Sequence, residues 1–103
     1  MGNPIDIAIK ISDMMKGKNV YLTFDIDCID PSQAPGTGTP EIGGLFTWQV
    51  LAILQRLFSI NFVGMDLMEV APAYDHSQIT SQAGACIIWT YLCLLAKKKI
   101  KIY

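Results

Sequence analysis

Val20-Tyr-Leu-Thr-Phe-Asp-Ile-Asp27 and Phe62-Val-Gly-Met-Asp-Leu67 are the two runs on which the reading of the fold turns. Both are short, carry β-branched or aromatic residues, and are bounded by turn formers, which predicts a strand in each case. Between them, Thr47 to about Phe58 places Val50, Leu51, Leu54, Leu57 and Phe58 on one apolar face, with Thr47 as the expected helix cap. Upstream, Ile5 to Met15 sets Ile5, Ala8, Ile9, Ile11 (or Ser12) and Met15 near helical spacing, and Gly17 supplies a stop. Downstream, Asp75 with Gln78 makes a capping-box-like start to a helix running to about Lys97. Strands joined through helices need crossover connections, so the order predicts an α/β class with a parallel sheet and helices on its faces.

The 103 residues amount to one small domain, or a piece of one. Hydrophobic residues make up 51% and charged residues 17%, an imbalance that predicts a surface covered by more chain or by a partner. Eight basic residues against nine acidic leave no excess to neutralise phosphates, which argues against nucleic-acid binding. Cys28, Cys86 and Cys93 form neither a disulfide framework nor a zinc knuckle, so a reducing, cytoplasmic setting is expected. No secretory signal is expected at MGNPIDIAIK. Ala83 to Ala96 is almost wholly apolar but shorter than the roughly 20 residues of a spanning helix. It is expected to be a buried or interface helix, with no membrane partner.

Acids collect where the strands end. Asp25 and Asp27 follow the first, and Asp66 and Glu69 mark the end of the second, which is where sites form in open α/β sheets. On an extended backbone Asp25 and Asp27 point to one face, and two such carboxylates repel unless a cation lies between them. Oxygen donors of this kind suit Mg²⁺, Mn²⁺ or Ca²⁺. By spacing alone, one surface acid and one loop-capping acid explain the pair nearly as well. Asp30, directly before Pro31, reads as a turn cap. Glu69 reads as a solvated acid unless a cationic group is at hand, which it could receive through two parallel hydrogen bonds.

The Pro/Gly stretch from Pro31 to Gly44 is too long for a plain connection and is expected to follow a defined, functional path. Gly36-Thr-Gly-Thr-Pro40 is not a phosphate-binding loop, since no Lys follows. A phosphatase or glycosyltransferase of the Asp-x-Asp type is a weaker option, and Ile29 departs from the phosphatase pattern. His76 reads as structural or exposed rather than as a ligand. Cys28 is expected to turn away from the acids, Cys86 and Cys93 to pack in the core, and Trp48 and Trp89 to serve as core or interface aromatics.

Two longer motifs carry a family resemblance. Val20 to Pro31, followed by Ala34-Pro-Gly-Thr-Gly-Thr-Pro40 and Gly43-Gly44, resembles the ureohydrolases, the family of arginase and agmatinase. Val63-Gly-Met-Asp-Leu-Met-Glu-Val-Ala-Pro-Ala-Tyr-Asp75 is most similar to the agmatinase branch. The match runs over about residues 18–99. It implies a three-layer α/β/α fold with a parallel sheet, and hydrolysis of a guanidino compound, foremost agmatine, to putrescine and urea with two Mn²⁺ ions. Guanidinobutyrate-type and arginine-type substrates stay open.

The resemblance also assigns residues. Asp25 would bridge both metals and Asp27 would bind one. Thr39 and Glu69 would line the substrate pocket, Glu69 facing the guanidinium, with Asp66 and Asp30 close behind. The family's other metal motifs and its proton-transferring histidine are expected upstream. Residues 1–103 are therefore expected to be the carboxyl-terminal part of such a domain, carrying half of the site and inactive alone. The expected partners are the small substrate and either further copies of the chain or a missing amino-terminal half. The alternative is an inactive remnant or an interaction module that docks on a full-length ureohydrolase through its apolar surface.

Overall fold

The computed structural model describes residues 3–39, 41–75 and 78–100, the last two as backbone only. The chain begins with α1, Pro4–Met15, where Asn3 Oδ1 accepts from the Ile5 N–H at 2.8 Å and Pro4 takes the first turn, whose N–H is unpaired in any helix. Gly17, at φ 74°, turns the chain into β1, Asn19–Asp25. A short 3₁₀ turn, Ile26–Cys28, follows at once. The long Pro/Gly segment then leads to α2, Thr47–Gln55. β2 spans Asn61–Met68, a second 3₁₀ turn spans Pro72–Tyr74, and α3 runs Ile79–Ile100.

β1 and β2 pair in parallel, as the crossover through α2 requires, and the register shifts between Val20 and Tyr21. Val20 faces Phe62 while Tyr21 faces Gly64, so Val63 is the extra residue. One sheet face, with Val20, Leu22, Phe24, Met65 and Leu67, packs on the core formed by Ala8, Val50, Leu54, Ile87 and Leu94. The other carries exposed Tyr21, Thr23, Asp25 and Met68. At Gly64 a Cβ would stand 2.8 Å from the Tyr21 ring, so the missing side chain is what lets that ring lie across β2. The expected three-layer α/β/α class with a parallel sheet holds, as a partial domain. Each strand keeps one edge unpaired among the described residues.

Several local expectations are corrected. Phe46, not Thr47, is the N-cap of α2; the Phe46 N–H donates to Gln49 Oε1 at 2.8 Å, and Thr47 donates from both N–H and Oγ1 to Gln33 Oε1. α2 ends at Gln55, leaving Phe58 exposed beneath the Lys97 ammonium, 4.7 Å from the ring centre. α3 starts later than the Asp75/Gln78 pattern suggests, because Asp75 reaches forward to the N–H groups of Thr80 and Ser81 at 2.9 and 3.0 Å. Ile79–Lys98 is long and apolar enough to cross a membrane by length and composition. In the fold it buries Ile87, Tyr91 and Leu94 and leaves Ile88, Trp89 and Leu92 exposed. Cys86 and Cys93 lie on its exposed side and not in the core, because the helix is apolar all round and spacing alone cannot choose a face. Trp48 and Trp89 are likewise exposed, which leaves the interface reading of the two.

Candidate metal and substrate site

The site forms where β1 gives way to the 3₁₀ turn. Asp25 is the last residue of the strand, and its Oδ1 accepts the Asp27 N–H at 3.1 Å, capping the turn. The backbone between the two acids is thus a capped turn and not an extended strand, since the strand stops at Asp25. Cys28, at the end of the turn, packs against the hydrophobic core, in keeping with the expectation that it serves packing. Cys28 is half-buried, and its thiol is pushed up from the ordinary range by burial first and then by the charges of Asp25 and Asp27.

Thr39, twelve positions downstream of Asp27, donates from Oγ1 to Asp27 Oδ2 at 2.9 Å. Among the described residues this leaves Oδ2 of Asp25 and Oδ1 of Asp27 without a hydrogen-bond partner. A free carboxylate oxygen on each of two neighbouring acids, the other oxygen of each being held, is the hard donor chemistry that suits a divalent cation. They do not complete its cage, for no group of three His, Cys, Asp or Glu capable of holding an ion occurs among the described residues. His76 lies outside the described residues.

Glu69 follows Met68, the register partner of Asp25, so the end of β2 brings it to the same end of the sheet. It is exposed and takes φ 73°, in the left-handed region. A Glu there costs about 1–2 kcal/mol relative to a relaxed backbone. No spacing in the sequence signals this strain. It is an outlier of the kind that gathers at binding sites.

The other two candidate acids, Asp66 and Asp30, are bonded to other partners. Asp66, opposite Thr23 in the register, receives Thr23 Oγ1 at 2.5 Å and the Tyr21 hydroxyl at 3.1 Å on the open sheet face. The hydrogen bond to Asp66, with some burial, raises the Tyr21 phenol. Asp30 accepts from the N–H groups of Ser32 and Gly43 and so acts within the loop, as its place before Pro31 suggests. Neither is hydrogen-bonded to Asp25 or Asp27.

Sequence reading missed the junction that pins the loop against α3. The Gly36 N–H donates to buried Thr80 Oγ1 at 2.7 Å, and the Ala71 N–H donates to the Gly36 carbonyl at 2.6 Å. Thr37, beside it, is 4% exposed, and its Oγ1 is buried without a partner. Glycine at 36 was the available signal, since Gly often marks close backbone approach.

Comparison with known proteins bears on the same stretch. The profile of the Arginase family matches residues 2–93. An agmatinase of Photorhabdus laumondii is 55% identical over 94 residues, which are 91% of this chain and 31% of that protein. A solved hypothetical agmatinase from Burkholderia thailandensis superposes with a TM-score of 0.93 at 46% identity, over 96% of this chain and 32% of the other. The proclavaminate amidino hydrolase of Streptomyces clavuligerus gives 0.90 at 41% identity, over 93% and 32%. The chain spans about a third of the length of the curated relatives it matches.

Proposed function

The chain belongs to the arginase family, and on that footing we propose that it carries the carboxyl-terminal share of an agmatinase-type amidinohydrolase site. The observation that supports this most is the capped Asp25–Asp27 pair, with Thr39 fixing one carboxylate and one oxygen of each left for a cation. Asp25 would bridge two Mn²⁺ ions and Asp27 would hold one. Ions bound there supply Lewis acidity that makes water a nucleophile near neutral pH.

The chain's own residues do the rest of the positioning. Glu69 receives the planar guanidinium through paired charge-assisted hydrogen bonds and turns its carbon toward Asp25 and Asp27. Thr39 lines the pocket while its hydroxyl keeps Asp27 oriented. Water adds to the guanidinium carbon, the bond to the alkyl nitrogen breaks, and that nitrogen leaves as an amine once protonated. The proton donor and the other metal ligands would come from the remaining part of the domain. Agmatine is the favoured substrate, giving putrescine and urea, in a cytoplasmic setting. Asp66, bonded to Tyr21 and Thr23 across the strands, and Asp30, within the loop, would support the site from behind.

The exposed Ile88, Trp89 and Leu92 of α3 favour a second reading, a docking module without turnover. Co-expression with the upstream part of an agmatinase, followed by a urea assay with agmatine and Mn²⁺, separates them. Urea release supports the hydrolase; a stable complex releasing none supports docking alone.

A further inference from the structure

Thr39 meets Asp27 because the intervening loop folds back on itself, and the Asp30 side chain joins a backbone bridge in holding that return. Asp30 accepts the Ser32 N–H on Oδ1 at 2.9 Å and the Gly43 N–H on Oδ2 at 3.0 Å, gripping the segment 31–43 at both ends. Its own N–H donates to the Leu45 carbonyl at 2.8 Å, and the Leu45 N–H returns to the Cys28 carbonyl at 2.9 Å. These bonds make an isolated parallel bridge between Ile29 and Leu45. Gly44 lies at the crossing, where a Cβ would stand 2.5 Å from the Cys28 carbonyl oxygen. Among the described residues, the stretch from Gly38 to Gly43 has two hydrogen-bonded ties beyond its own turn: Thr39 to Asp27 and Gly43 to Asp30. Bonds to an ionised acceptor are roughly twice as strong as neutral ones. The Ser32 N–H and hydroxyl, opposed by burial and helped by Gly43 and Gly44, hold Asp30 below the usual carboxylate range.

We propose that Asp30 is the positioning residue of this site: by closing the 31–43 loop it delivers Thr39 Oγ1 to Asp27 and fixes the carboxylate that faces the cation. The cation rests on the functional reading above; the loop closure does not.

The test compares Asp30→Asn, Thr39→Val and the double variant in the 103-residue chain. The ¹³Cγ shift of the Asp27 carboxylate reads the Thr39 hydrogen bond. Asp30→Asn is expected to move it as Thr39→Val does, and the double variant to move it no further. An unmoved Asp27 signal, with only the Gly43 amide exchanging faster, overturns the proposal. Mn²⁺ line broadening at the Asp25 and Asp27 amides is the second reading. Each single variant should weaken binding about tenfold, the usual effect of losing an outer partner. The double variant should match the singles, and losses that multiply overturn the coupling. Because the two acids do not complete a cage among the described residues, the broadening is read with the upstream part of an agmatinase added, and its absence there would sink the metal reading, while the Asp27 shift still decides the positioning claim. Should Asp30→Asn unfold the chain, the trans-hydrogen-bond coupling from Gly43 N to Asp30 Cγ, measured without substitution, decides it, and its absence refutes the clamp.

Discussion

Gly36 lies so close to Asp75 that a Cβ placed on it would stand 2.7 Å from the Asp75 Cβ and 2.9 Å from Thr80 Oγ1. The loop that carries Thr39 is therefore seated on the start of α3 at a position where only glycine fits. Gly36→Ala is expected to destabilise the chain by about 1–3 kcal/mol, the usual range for overpacking. It should also release the Gly36–Thr80 hydrogen bond. Denaturant unfolding with amide exchange at Gly36 checks both, and a stability unchanged within error would contradict the seating.

Glu69 sets a side chain's function against its backbone's comfort. At φ 73° a glycine is relaxed where a glutamate is strained. Glu69→Gly should leave the folded chain as stable or up to about 1 kcal/mol more stable, in spite of the lost side chain. In the completed enzyme, Glu69→Gln should instead lower kcat/KM by several kcal/mol and spare Mn²⁺ binding. A buried cation robbed of its anion costs about 3–5 kcal/mol. Metal lost in step with activity would show that Glu69 has another role.

Acid should loosen the loop before the core. Asp30 and Asp75 both stand below the ordinary carboxylate range; for Asp75, burial acts to raise it and is outweighed by the N–H and hydroxyl groups of Thr80 and Ser81. A depressed carboxylate binds its proton in the unfolded chain first. Its contribution is therefore whole above the unfolded value of about 3.9 and is lost as pH falls through the lower folded value. Tm followed from about pH 6 down to about pH 2 should decline below about pH 4. Asp75→Asn should flatten that limb, and an unchanged limb would contradict the assignment.

The three thiols should separate by reactivity. Cys86 and Cys93 are exposed on α3, whereas Cys28 is half-buried with its thiol raised by burial and by the two neighbouring acids. Maleimide at neutral pH should label Cys86 and Cys93 well before Cys28, because the thiolate is the reactive form. Mass mapping that found Cys28 modified first would refute the turn geometry at Ile26–Cys28.

Local periodicity was enough to read the elements. Val20–Phe24 and Phe62–Leu67 alternate or run apolar as strands do, and both proved to be the cores of β1 and β2. The family motifs pointed to the fold that the superposition with the Burkholderia agmatinase reproduces. Periodicity failed where a long-range partner decides the outcome. The Thr39–Asp27 bond spans twelve positions and the Gly36–Thr80 bond forty-four, and neither leaves a local spacing. The face of α3 was illegible for a related reason: an all-round apolar helix does not show which side its neighbours cover. Asp30 was legible because an Asp before Pro acts on the next few residues, whereas its hold on Gly43, thirteen positions away, was not.

Asp25 and Asp27 are the centre of the account, and anomalous diffraction at the manganese edge reads them most directly. The chain would be crystallised with the upstream part of an agmatinase and soaked in Mn²⁺. A manganese peak in contact with Oδ2 of Asp25 and Oδ1 of Asp27, lost in Asp25→Asn, is the predicted result. Peaks elsewhere, or the two carboxylates apart with solvent between them, would contradict it.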